Sequence, residues 1–159
     1  MIRALLCVCL LGAAPAFASD IKLLAELDGW RILTVPVQGG CVASRAFADG
    51  TTLRIRFDPA SGTGILHAVQ PAWGPLIEGD AYAFAYDLDG SVAEAEGMGH
   101  YFGGQPGVAL ALPSADLLTA LASTETLRIY FGEAEVMALD LTGSAQALQA
   151  TKDCRPVQG

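Results

Sequence analysis

The chain has 159 residues, 17 of them acidic against 9 basic, a formal charge of −8 and 52% hydrophobic residues. That length fits one domain able to bury a real core and leaves little room for a second. The acidic balance, with no block of basic residues, argues against a phosphate backbone or an anionic lipid surface as partner.

The first element is an export segment. Arg3 precedes an apolar run from Ala4 to Ala14, and Pro15 leads into the small-residue Ala16-Phe17-Ala18 signature, so residues 1–18 read as a secretory signal peptide cleaved after Ala18. The run falls short of the about 20 apolar residues that span a bilayer. Cys7 and Cys9 lie inside it, where lipid attachment at a cleavage point does not fit. The expected mature protein is a single β-rich exported domain, residues 19–159, periplasmic or secreted, with no membrane insertion after the signal is removed. Arg3 leaves with the signal, which takes the formal charge from −8 to −9. Cys41 and Cys154 remain, without a CxxC spacing, and in an oxidising compartment they are expected to form one long-range disulfide. Loop-closure entropy gives such a bridge about 4 to 5 kcal/mol.

Beyond the signal the dominant period is two, the mark of strands with one buried face. Strands are predicted over 30–37 and 40–47. Thr52 to Phe57 is the clearest, with Leu53, Ile55 and Phe57 inward and Arg54 and Arg56 outward. The Asp58–Gly64 stretch supplies turn chemistry, and 65–69 reads as the return strand, which places His67 on the outward face. Residues 81–87 alternate Tyr82, Phe84 and Tyr86 with alanines; Asp89-Gly90 is a tight turn, and 92–96 its partner strand. Residues 108–112, 126–131 and 135–141 are also strand-like. Pro113-Ser114 opens a helix with an apolar stripe of Leu117, Leu118 and Leu121 and with Asp116 in the first turn, where an acid suits the helix dipole. A second helix starts near Gly143-Ser144, with Ser144 as its cap, and carries Ala147 and Leu148 toward Cys154. The expected fold is mainly β: an antiparallel β-sandwich or partly closed barrel with two short α-helices.

Several features recur in an order that resembles the invasion-associated locus B proteins. They are Trp30, Cys41, the strand ending Asp87-Leu88-Asp89-Gly90, the Ser-Ala-Asp helix of Ser114 to Ala122, and the closing Leu141-Thr142-Gly143-Ser144-Ala145 run that leads to Cys154. The resemblance covers most of the mature chain. It implies an exported bacterial protein that is not an enzyme, in a family some of whose members are linked to host-cell entry. The chain departs from the pattern after the first helix, where Ile129-Tyr130-Phe131-Gly132-Glu133 replaces a basic segment.

A search for chemistry returns little. There is no Gly-x-Ser-x-Gly elbow, and the loop serines Ser61, Ser91 and Ser144 have only His67 and His100 as potential bases. Asp87 to Gly90 imitates the start of a calcium loop without its later ligands, and Glu94 and Glu96 share one strand face without the geometry of a glycosidase pair. No catalytic residue, metal or cofactor is therefore expected. Gly97-Met98-Gly99-His100-Tyr101-Phe102-Gly103-Gly104 reads as a glycine-rich connection, but the last glycine of a dinucleotide fingerprint would fall on Phe102. Such a stretch can bind ligands, or its aromatics can simply cover the core edge. The expected activity is non-catalytic binding to a protein partner in the envelope or on a host surface. Candidate contacts are His100, Tyr101, Trp73 and Tyr130, although Trp73 could equally be tucked into the core. The alternative is a small periplasmic enzyme or enzyme inhibitor centred on Gly97–Gly104.

Overall fold

A computed structural model describes residues 21–35, 40–58, 61–112 and 114–154. The predicted export segment 1–18, Val37, Pro113 and the Pro59-Ala60 pair of the predicted turn lie outside these residues. The described chain forms ten strands and two helices: β1 (Lys22–Leu27), β2 (Trp30–Val35), β3 (Gly40–Ala46), β4 (Thr52–Asp58), β5 (Thr63–Val69), β6 (Ala81–Leu88), β7 (Ser91–Phe102), β8 (Gln105–Leu112), α1 (Ala115–Ser123), β9 (Thr126–Phe131), β10 (Ala134–Asp140) and α2 (Ser144–Asp153). All ten strands join one antiparallel sheet in the order β1-β2-β3-β4-β5-β8-β7-β6-β9-β10.

The predicted alternation sets the inner face. Leu53 and Ile55 of β4 are fully buried, as are Trp30 and Ile32 of β2 to within 1%. They join Leu66, Phe84, Leu110, Leu127, Ile129 and Leu139 in one core. The helices close that core with the expected stripe: Leu118 is fully buried, and Leu121 and Leu148 are each 2% exposed. Ser144 is not the cap of α2. Gly143 occupies that position in the left-handed region, and the buried Ser144 hydroxyl instead donates to the Leu121 carbonyl of α1 at 3.0 Å. The serine thus joins the two helices rather than starting one.

Two-residue hairpins of type I′ need both central residues at positive φ. Asp28-Gly29, Asp89-Gly90 and Gly103-Gly104 all meet that condition, with φ values of 47° and 81°, 50° and 93°, and 61° and 82°. The first of these turns reveals a strand that periodicity missed. β1 has the edge position and pairs with β2 alone, so it has little buried face to reveal a period of two, and Leu23 and Leu24 are about half exposed, at 47% and 52%.

The sheet curls until its two ends meet. Trp30 Nε1 of β2 and Arg45 Nη1 of β3 both donate to the Thr142 carbonyl after β10, at 3.1 and 2.7 Å. Arg45 also faces Asp140 at 3.6 Å and lies over the Trp30 and Phe47 rings. Nearby, Cys41 of β3 and Cys154 after α2 form the expected disulfide, 113 residues apart in sequence. The curl is therefore closed by side chains and a covalent bond, since β1 and β10 are not paired.

Candidate functional site

Topology dictates where the surface becomes unusual. β5 is followed in the sheet by β8 and β7, whereas the chain goes from β5 to β6, so residues 70–80 must cross the ends of two strands. Their start is fixed by a polar cluster. Asp49 accepts from the Thr51 amide and hydroxyl at 2.9 and 2.8 Å, Gln70 Nε2 donates to the Thr51 hydroxyl at 2.8 Å, and Ala72 N donates to Gln70 Oε1 at 3.1 Å. These hydrogen bonds hold the Asp49 carboxyl below its ordinary pKa, the Thr51 backbone amide contributing most.

The end of the loop is fixed on β7. β6 begins at Ala81 opposite Met98, so β7 outruns it and residues beyond Met98 have a free edge on that side. An unpaired edge leaves donors and acceptors to satisfy. The loop supplies them: Gly79 N donates to Gly99 O at 2.9 Å, Gly99 N to Asp80 O at 2.8 Å, and Tyr101 N to Glu78 Oε2 at 2.9 Å. The other Glu78 oxygen pairs with His100 Nδ1. Two phenols complete the clasp, Tyr101 donating to Leu76 O at 3.0 Å and Tyr82 accepting from Ile77 N at 2.9 Å.

This geometry corrects the reading of Gly97–Gly104 as a connecting loop. Residues up to Phe102 are strand, and only Gly103-Gly104 is a turn. Gly99 is glycine because a Cβ there would lie 2.5 Å from the Ile77 carbonyl and 2.9 Å from the Tyr82 ring. The glycine makes room for the crossing loop. The partner strand predicted over 92–96 is longer, running from Ser91 to Phe102, because beyond Met98 it stays paired with β8.

Three of the four candidate contacts meet at this loop. His100 and Tyr101 hold it from β7, and the half-buried Trp73 lies within it, lining a cavity of about 200 Å³ with Leu76, Tyr82, Phe84, Ile129 and Phe131. Trp73 packs against the core, one of its two expected placements. Tyr130 is elsewhere, on β9, where its hydroxyl donates to Glu135 at 3.4 Å beside the Arg128–Glu135 ion pair. The Asp87 and Asp89 carboxylates of the calcium-like stretch accept backbone amides, Asp87 from Gly90 and Asp89 from Glu125 and Thr126.

Arg54, His67 and Phe102 complete the outer face. Arg54 lies opposite His67 in the β4–β5 register, and its guanidinium is 5.7 Å from the Phe102 ring centre. The Phe102 ring also meets His67 and His100, with centroids 4.6 and 4.5 Å away. Burial, reinforced by His100, Arg54 and Arg56, pushes the His67 imidazole down to about 4, so it is neutral at neutral pH. Glu78 carried no motif. Arg54 and His67 could have been paired from the hairpin register about the Asp58–Gly64 turn.

No protein-family model and no curated protein matches the sequence. A solved crystal structure, that of invasion associated protein B from Bartonella henselae, is similar with a TM-score of 0.62 and 14% identity over 82% of this chain and 96% of that one. The resemblance read from the order of Trp30, Cys41, the Asp87–Gly90 turn and the Leu141–Ala145 run is therefore matched by a shared fold.

Proposed function

We propose that the protein is exported and works outside the cytoplasm without chemistry of its own, by binding a protein partner of the envelope through the clasped 70–80 loop and the adjoining end of β7. The observation that carries this reading is the clasp. Hydrogen bonds of Glu78, Tyr101 and Tyr82 hold the loop in place, with Ile77 of the loop and Met98 of β7 left 63% and 56% exposed. Apolar side chains presented on a pre-ordered backbone suit recognition, because little conformational entropy is lost on binding. The apolar run of 1–18 supports export, and the disulfide suits an oxidising compartment. The fold relative is named for invasion, which is in keeping with a surface that meets other proteins.

The test is capture from envelope extracts on folded mature protein, with His100→Ala/Tyr101→Ala as control and thermal melting to confirm that the control folds. A specific band retained by the wild type and lost with the folded variant supports the reading. Equal capture by both proteins overturns the assignment to this surface.

A further inference from the structure

The strongest unassigned feature is a groove on the outer face of the sheet, of about 310 Å³, built across β2, β3, β4, β5 and β7. Strand register arranges its walls. One lateral row runs Leu33, Val42, Arg56, Ile65 across β2 to β5, and the next runs Ser44, Arg54, His67, Ala109 across β3, β4, β5 and β8. The groove is thus apolar toward β2 and β3, where Leu33, Val35 and Val42 line it, and cationic toward β4 and β5. Arg54 and Arg56 sit two residues apart on one strand, so both side chains leave the same face.

Three observations mark the cationic end as a place for an anion. In a chain of formal charge −8, the described residues lining this groove include two arginines and two histidines and no carboxylate. Glu78 lines the adjoining groove, and its two oxygens are engaged by His100 and the Tyr101 amide. Arg54 Nε is buried with no hydrogen-bond partner. A buried charged donor left unpaired is costly, so a shift of the Arg54 side chain that brings Nε to an oxyanion in the groove is favoured by a charge-assisted bond. The neutral His67 adds a hydrogen-bonding nitrogen without adding to the positive charge.

We propose that this groove binds a small anionic amphiphile, with its carboxylate or phosphate head between Arg54, Arg56 and His67 and its apolar chain along Leu33, Val35 and Val42. The head is recognised by charge, and the chain by the apolar strands. The site adjoins the partner-binding clasp, sharing His100 and Phe102 with the end of β7, while Arg54 and Leu33 lie outside the groove that Glu78 and Met98 line.

Titration calorimetry on folded mature protein tests it, using decanoate and decyl phosphate as probes below their micelle concentrations, with acetate, inorganic phosphate and decanol as controls. Saturable one-to-one binding of at least one anionic probe is expected. It should weaken at least tenfold in Arg54→Gln and in Leu33→Ser, each confirmed folded by melting. The three controls should bind at least tenfold more weakly. Absence of saturable binding, or undiminished binding in folded Arg54→Gln, overturns the site. Decanol binding as well as decanoate would overturn the anionic head, and acetate or inorganic phosphate binding as well as their decyl counterparts would overturn the apolar chain. A parallel sedimentation with phosphatidylglycerol vesicles separates the sources: vesicle binding without binding of the free amphiphiles overturns the small-ligand site in favour of membrane contact. Because Arg54 and Leu33 lie outside the clasp, failure here leaves the capture experiment on His100 and Tyr101 unaffected.

Discussion

Arg45 of β3 donates a 2.7 Å hydrogen bond to the carbonyl of Thr142, the residue that follows β10 by two positions, and so joins two regions 97 residues apart in sequence. The Trp30 indole shares the same acceptor. This contact ties the two ends of a ten-stranded sheet together over one core. Replacing the fully buried Trp30 with Ala should cost about 3 to 5 kcal/mol, and Trp30→Phe clearly less, as read by urea denaturation. Similar small losses for both would contradict the role of Trp30 at this junction.

The disulfide acts on the same junction from the other side, joining β3 to the end of α2. Its removal in Cys41→Ser/Cys154→Ser should lower stability by about 4 to 5 kcal/mol, because a loop of this length is freed in the unfolded chain. Equilibrium unfolding of the variant beside oxidised wild type checks this, and an unchanged midpoint would contradict it.

His67 gives stability a pH dependence of defined sign. In the unfolded chain its imidazole takes a proton near the ordinary 6.5, whereas in the folded protein it does so only near 4. Between these values the unfolded chain binds more protons, so stability is lost as pH falls from 6.5 toward 4, with no further loss from this group below that. The urea midpoint should therefore drop less between pH 7 and pH 5 in His67→Gln than in wild type. An identical drop in the two proteins would count against it.

The cluster under the loop makes a further prediction. Thr51 is fully buried and its hydroxyl lies between Asp49 and Gln70. Thr51→Val keeps the shape but leaves the Gln70 amide short of a partner, a cost of about 1 to 3 kcal/mol. Loss of stability should be accompanied by faster amide exchange at Ala72, whose N–H depends on Gln70; exchange at the wild-type rate would show that the loop start is held by other means.

Much of the fold was legible in the sequence because one-sided burial writes a period of two. Leu53 and Ile55 against Arg54 and Arg56 gave β4, and Leu118 and Leu121 gave the inner face of α1. β1 was hidden because an edge strand with exposed Leu23 and Leu24 has no such contrast, although the Asp28-Gly29 turn marked where it ends. The site was only half legible. His100 and Tyr101 were visible as aromatics among glycines, but Glu78 reaches them across 22 and 23 residues. That meeting follows from the β5-β8-β7-β6 order, which no local pattern encodes. The outward arginines of β4 were seen as strand periodicity, and only the register with β5 brings Arg54 to His67.

The most direct test of the binding surface is site-specific photo-crosslinking in envelope extracts, with the crosslinker placed at Ile77, at Met98 and, as control, at Val92, which is 65% exposed toward the far end of β7. The account predicts one discrete adduct formed from positions 77 and 98 and not from 92. No adduct at 77 and 98, or the same adduct from all three, would contradict it.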